Sequence, residues 1–528
     1  MSNMQINEIV IVGGGTSGWM TAAALSNQFE HLLKKQSISI TLIESDDIGT
    51  VGVGEATLPH LRFFNQKLGI DEREFMSATK ATYKLGIEFC HWAQLGDCYM
   101  HAFGEYGKRH QNIEFHQWWL RAKDLMLAKD ITQYSMAAIA AKNNKFQHPK
   151  PDQNSMLSRF NYAYHIDAGL YAKFLRDYSH QRGVVRIEGK ISQVKQAGDS
   201  GFIQSLCLDS GQIIDGDLFI DCSGFKGLLI SESLKVKYHD WSHYLPCDSA
   251  QAVPSERPDT LITYTRASAR SAGWQWRIPL QHRTGNGYVY CSSFCEDQHA
   301  QDELLMHLDG NPIREPIQLR FITGKRDKFW DKNVVSIGLS GGFMEPLEST
   351  SIYLIQEAIG NLIDLFPDAD FSAELQNEFN RLMDEEFYHI RDFLIAHYHV
   401  NNRDDSDFWR YVRNMQIPDT LAHKLSVFET QGHIVNYGQG EFLAPSWLAV
   451  LIGQKLKIKH YHPSVDVLDT TELTNMMENI ENDIYINAAA MKNHEDSLMS
   501  FLANKSSKEY ELYSRLRASK SLYGTTEK

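Results

Sequence analysis

An α/β fold is predicted for this chain by three observations. A β-branched run at the amino terminus leads through glycines into a helix start. Two further strand-to-glycine junctions follow within the first 350 residues, and the carboxyl-terminal part carries apolar residues at helical spacing. Units of this kind build a parallel sheet covered by helices, here of the Rossmann, glutathione-reductase-like type.

The first junction is Glu8–Val12 followed by GGGTSGWMTAAAL, which holds G-x-G-x-x-G at Gly13, Gly15 and Gly18. Gly13 makes the tight turn, Gly15 lets the backbone approach a pyrophosphate, and Gly18 lets helix and strand pack closely, with Thr16 and Ser17 in the same turn. A second strand, Ile38–Ile43, ends at Glu44, placed to accept hydrogen bonds from an adenosine ribose. The glycine cluster VGVGEATLP, Val51–Pro59, follows directly and opens backbone N–H groups to a large planar cofactor around Gly54, Glu55 and Ala56. That suits FAD better than NAD. DLFIDCSGFKGLL places Asp221 and Gly224 at a strand end, and NVVSIGLSGGFMEPLEST runs through Gly341 and Gly342 towards a helix. The expected organisation is a flavoprotein monooxygenase-type FAD domain over 1–370, discontinuous, with substrate segments embedded at about 75–180. A mostly helical C-terminal substrate cap over 371–505 and a polar tail over 506–528 complete it.

The 528 residues include 52 Lys and Arg against 66 Asp and Glu, a net charge of −14, with 43% hydrophobic and 22% charged residues. This balance excludes wholesale disorder and argues against nucleic acid or a polybasic membrane surface, because both rely on excess cation. No span reaches the ~20 apolar residues a bilayer needs, and Glu8 stands where a signal peptide would carry cations, so a cytoplasmic chain is expected. Seven cysteines without a C-x-x-C pair read as buried free thiols in a reducing compartment. Cys291 and Cys295 suit a strand face better than a metal site, and no metal is expected.

Ile352, Ile355, Ile359 and Ile363 recur at helical spacing, so a helix begins near Thr350 or Ser351, with Ser349–Ser351 offering cap chemistry and Pro346 barring its extension backwards. Free N–H groups in that first turn form a small anion site. Glu348 beside it is either a dipole-compensating carboxylate or a chemical one. Lys84 lies in FMSATKATYKLGIEF, where Phe75, Met76, Thr79, Tyr83 and Ile87 outline a helix face. Paired with Lys80 it reads as a solvated basic edge; buried, it would be a tunable nucleophile. Trp274 and Trp276, in a run closed by Pro279, point to one face of a strand and either fill a core or wall off a flavin.

Read together, these motifs resemble the flavin-dependent halogenases of the tryptophan halogenase family. The carriers are GGGTSG, VGVGEATLP, the Tyr83–Lys84 pair, YHIDAGLYAKFL (Tyr164–Leu175), DCSGFKG (Asp221–Gly227), LPCDSAQAVP (Leu245–Pro254), GWQWRIP (Gly273–Pro279) and GGFMEPLEST (Gly341–Thr350). They run in order over two thirds of the chain. The resemblance implies that reduced FAD, supplied by a separate flavin reductase, reacts with O2 and that a halide is thereby converted to hypohalous acid. The oxidant then passes a tunnel at Trp274, Trp276 and Pro279 to Lys84, which holds it or becomes a haloamine. Glu348 matches the catalytic carboxylate, Thr350 and Ser351 the halide site, and Val194 and Leu339 further FAD-binding positions. His101, Phe103 and Trp447 are the candidates for an aromatic sandwich around the substrate.

The sequence departs from the family pattern in three places. Ser351 stands where a Gly is usual, leaving chloride and bromide both open. Ala102 replaces a Pro. YGQGEFLAPSWLAVLIGQ lacks the paired tyrosines that hold free tryptophan, so the stretch looks closer to members that take indole and simple electron-rich aromatics, often with bromide. A homodimer is compatible with the sequence.

Overall fold

Four apolar residues in succession, Ile9 to Val12, are buried on both faces of β1 (Glu8–Val12), as a central parallel strand requires. In the computed structural model, which describes residues 6–47, 54–152, 155–368, 370–437 and 440–503, β1 pairs in parallel with β2 (Ser39–Glu44) and with Leu218–Asp221. The six-stranded sheet runs Trp330–Asp331, Val334–Ser336, Leu218–Asp221, β1, β2, Val185–Glu188. Its strands come from positions hundreds of residues apart, which is the discontinuous assembly expected. Helix Thr16–Gln28 follows β1 and buries Ala22, Ala23 and Ala24, small side chains that allow close packing.

Beside this sheet, β3 (Gly54–Ala56) and β4 (Thr82–Lys84) flank strand Ala163–Asp167 in a three-stranded sheet. A seven-stranded sheet runs Ile317–Arg320, Ser249–Ser255, Thr284–Tyr290, Gly273–Pro279, Thr265–Arg270, β5 (Gly86–Cys90) and β6 (Cys98–Ala102). The carboxyl-terminal part is helical as expected: Ala373–His399, Asp407–Asn414, Asp419–Gln431, Ala444–Gly453, Thr470–Ala490 and His494–Ala503. One short strand, Lys492–Asn493, interrupts it and pairs with β7 (Lys145–Phe146). Among the described residues no helix is long and apolar enough to cross a membrane. Val51–Val53 of the glycine cluster, Gly438 and Gln439, and the polar tail lie outside the described residues.

Two expectations are corrected. Lys84 sits on a strand, not a helix: helix Glu72–Ala78 ends at Thr79, Lys80 turns the chain with φ +54°, and Thr82, Tyr83 and Lys84 are all buried in β4. The i, i+4 partnership of Lys80 with Lys84 therefore does not exist. Cys90 and Cys98 are not free thiols. They are register partners across β5 and β6 and form a disulfide, whereas the described Cys207, Cys222, Cys247, Cys291 and Cys295 are free. Hairpin register brings the pair together, and no cysteine motif signals it.

Candidate active site

A cavity of about 1020 Å³ opens along the carboxyl end of the six-stranded sheet. Gly13, Gly15, Thr16, Ser17 and Glu44 line one end, and Gly54, Glu55, Ala56 and Leu339 lie further along. Gly13 has φ +109°, and a Cβ there would fall 2.3 Å from the Cys222 carbonyl oxygen; a Cβ on Gly18 would fall 1.8 Å from that of Gly13. Gly18 thus packs helix on strand and does not face the cavity. Nothing stands within 4 Å of where a Gly15 Cβ would be, so the backbone there is open to a ligand. Glu44 is oriented by Arg186 Nε and by Trp19 Nε1 (3.4 Å), partners the sequence did not indicate. An exposed glycine turn, an oriented carboxylate and a wide apolar far end fit a flavin dinucleotide. Val194 does not join them: its strand, Ile191–Gln196, pairs with Ile203–Leu208, and Ile191 is the residue of that strand that reaches the lining.

Trp274 and Trp276 form the far wall, on one face of strand Gly273–Pro279 with ring centroids 6.1 Å apart. The register places Gly287 opposite Trp276, and a Cβ at that glycine would overlap the indole at 2.1 Å, so the bulky ring fits only against glycine. Trp274 Nε1 donates to Glu345 Oε2 (3.0 Å), which also accepts from Tyr398 Oη (2.5 Å). Burial pushes the Glu345 carboxyl up to about 7. Pro279 does not line the cavity; its carbonyl accepts the Thr82 hydroxyl at 2.7 Å.

Lys84 is fully buried. Its Nζ donates to the Thr57 carbonyl (3.0 Å) and to Ser349 Oγ (2.9 Å) and lies 5.0 Å from the centre of the Phe103 ring. Ser349 itself lines the cavity, so one hydroxyl links the lysine to the cofactor chamber. Burial lowers the amine from 10.5 to about 7, against the opposing pull of Glu348. The unfolded chain therefore holds a proton that the folded chain has lost between pH 7 and 10.5, and stability rises with pH across that window. Lys84→Met is expected to remove that rise and to stabilise the protein below pH 7 by a few kcal/mol, on the order set by burying a charge. Urea denaturation of both proteins at pH 6 and pH 9 measures the difference.

Glu348 ends the turn Pro346–Glu348 with no exposed surface, so it is no solvent-facing dipole compensator. His101 Nδ1 approaches both its oxygens (3.0 and 2.9 Å), and His397 Nε2 approaches Oε1 at 2.7 Å. Burial alone would raise this carboxyl; the charges and hydrogen bonds of His101 and His397 outweigh it and bring it to about 2. His397 Nδ1 faces the Phe393 carbonyl at 2.8 Å, an acceptor only, so Nδ1 carries hydrogen and a further proton lies on the line from Nε2 to Glu348. His101 is completed by Ser446 Oγ at 2.7 Å from Nε2. The sequence reading gave His101 to a substrate sandwich, but its ring nitrogens are committed to Glu348 and Ser446. Trp447 is also held, by Lys424 over its ring (4.4 Å), the edge of Phe393 and a bond from Nε1 to the Phe442 carbonyl. Of the three sandwich candidates, Phe103 is the one against Lys84.

Helix Thr350–Asp364 begins where expected, but Ser349 caps it differently. With φ +62° it makes no side-chain cap bond and gives its Oγ to Lys84. The first turn is left uncapped, Ser351 faces the cavity, and the Thr350 hydroxyl is buried without a partner. Such a turn attracts an anion.

Comparison with known proteins agrees with this arrangement. The tryptophan halogenase family model matches residues 8–470. Tryptophan 6-halogenase SttH of Streptomyces toxytricini is 35% identical over 480 residues, 86% of this chain and 90% of the relative. Two solved structures superpose with a TM-score of 0.90. Xcc4156, a flavin-dependent halogenase from Xanthomonas campestris, is 44% identical and covers 94% of this chain and 98% of its own. BrvH, a flavin-dependent halogenase from Brevundimonas sp. BAL3, is 43% identical, with 95% and 100% covered. With a glycine-turn dinucleotide cradle, a double-tryptophan wall and a buried lysine and glutamate behind it, the chain belongs to the tryptophan halogenase family and is a flavin-dependent halogenase that works with a separate flavin reductase.

Proposed function

We propose that this chain halogenates an electron-rich aromatic such as indole or an indole derivative, with bromide or chloride, using Lys84 to present the halogen and Glu348 to manage the proton. The contact that carries this reading is Lys84 Nζ on Ser349 Oγ, because it sets a buried amine at the edge of the cofactor chamber. Reduced FAD, when bound, supplies the electrons with which O2 turns halide into hypohalous acid. The amide groups of Thr350 and Ser351 hold the halide at the uncapped helix start. Trp274 and Trp276 keep an aromatic substrate from the cofactor and leave room only for a small oxidant. Two N–H groups of the neutral Lys84 amine meet Thr57 and Ser349, which leaves its lone pair for the halogen. When the ring carbon takes the halogen, Glu348 receives the displaced proton and the other product is water.

Phe103, Phe442 and Phe393 supply apolar ring surface near His101 and Lys84, which suits indole, and the stretch 437–454 holds the single tyrosine Tyr437 rather than a pair. The two halogenases at 44% and 43% identity carry no tryptophan in their names, unlike the relative at 35%. The protein with FAD, NADH, an added flavin reductase, indole and either halide is expected to give a product with the halogen isotope pattern by mass spectrometry. Without the reductase, NADH is not consumed. A product heavier by a single oxygen would make the chain a hydroxylase, and conversion of tryptophan in preference to indole would overturn the substrate assignment.

A further inference from the structure

We propose that His494, at the start of the last described helix and beyond the span matched by the family model, is a positioning residue that locks the strand carrying Lys84. The proposal rests on the reading of Lys84 given above. β4 is an edge strand, paired only with Ala163–Asp167 in its sheet. On its other side the Tyr83 N–H is donated to His494 Nε2 at 3.2 Å. The opposite ring nitrogen, Nδ1, faces the Leu261 carbonyl at 3.1 Å and therefore carries the hydrogen. The imidazole is neutral and fully used, and burial holds it there by lowering its pKa to about 4.

The chain delivers His494 to this point by backbone pairing. Lys492 and Asn493 align with Phe146 and Lys145, and the His494 N–H continues the run by donating to the Asn144 carbonyl at 2.8 Å. Tyr83 stacks on Phe146 with centroids 3.7 Å apart and planes 8° apart, so β4, β7 and the last helix close around one aromatic contact. From within, His165 completes the clamp. Thr82 Oγ1 donates to Pro279, accepts from His165 Nδ1 (3.0 Å), and His165 Nε2 accepts the Thr265 hydroxyl (3.0 Å). A three-residue strand is thus fixed by a neutral histidine on each side, and Lys84 is its last residue.

An edge strand with its outward N–H unpaired moves, and a shift of an ångström at Lys84 is enough to misdirect a transferred halogen. His494→Gln keeps an acceptor for Tyr83 and a donor for Leu261, whereas His494→Phe and His494→Met keep bulk and lose both bonds. The FAD-free proteins are compared by hydrogen–deuterium exchange of the peptide containing β4. The loaded proteins are compared by halogenated product per NADH and by hypohalous acid caught by an added trap. A variant that binds FAD as the wild type does counts as folded. The Phe or Met variant is expected to exchange faster in β4 and to divert most of its oxidant to the trap, with product per NADH falling roughly tenfold. The Gln variant is expected to match wild type in both. Unchanged β4 exchange in a folded Phe or Met variant overturns the lock, and so does a Gln variant that behaves like Phe. If β4 loosens while product holds, and Lys84→Ala also retains product, the fault lies in the role assigned to Lys84.

Discussion

Lys84→Ala is expected to abolish halogen transfer to carbon, by at least about 10³-fold, while FAD binds as before and NADH consumption through the reductase continues. The lysine side chain contacts Thr57, Ser349 and Phe103 and is not part of the cofactor lining. Oxidant formation therefore persists in the variant, and hypohalous acid accumulates in a trap in place of aryl halide. The same assignment fixes a pH profile. With the amine lowered to about 7 by burial, product formation in the wild type is expected to rise through pH 7 and level off above it. A profile that falls through that range would make the ammonium the working form, and full product from the alanine variant would remove Lys84 from the mechanism.

Glu348→Gln is expected to cost about 10²–10³-fold in product formation with little change in FAD affinity. The amide cannot take the ring proton, and its NH2 group turns a donor towards either His101 or His397, each of which now faces a carboxylate. A collapse of FAD binding would move Glu348 to the cofactor. The carboxyl also carries stability: its folded pKa of about 2 lies below the usual 4.5, so its contribution is complete above pH 4.5 and is lost as pH falls through 2. Acid unfolding of Glu348→Gln is expected to lack that component.

The dinucleotide half of the molecule was legible because its chemistry is local. Gly13, Gly15, Gly18 and Glu44 sit within one β-α-β unit, and the constraint each obeys is set by neighbours in the chain. The halogen-transfer half was legible as single residues but not as an assembly. EPLEST announced a helix start and a carboxylate, yet His397 reaches Glu348 from a helix 49 positions away and Ser446 reaches His101 across 345. Lys84 was placed on a helix because Phe75, Met76 and Thr79 belong to one; the periodicity was real and ended at Thr79, and the β-branched, aromatic triplet after it was too short to declare a strand. His101 illustrates the same limit: an aromatic ring in sequence becomes a hydrogen-bonding partner once Glu348 is folded beneath it.

The paired indoles and the carboxyl that braces them make two compartments whose demands on the sequence are separate. Residues that recognise the compound to be marked answer to its shape alone, since it never meets the isoalloxazine. Over evolutionary time such a catalyst is free to exchange clientele by altering one vestibule, with the workshop behind the partition left untouched.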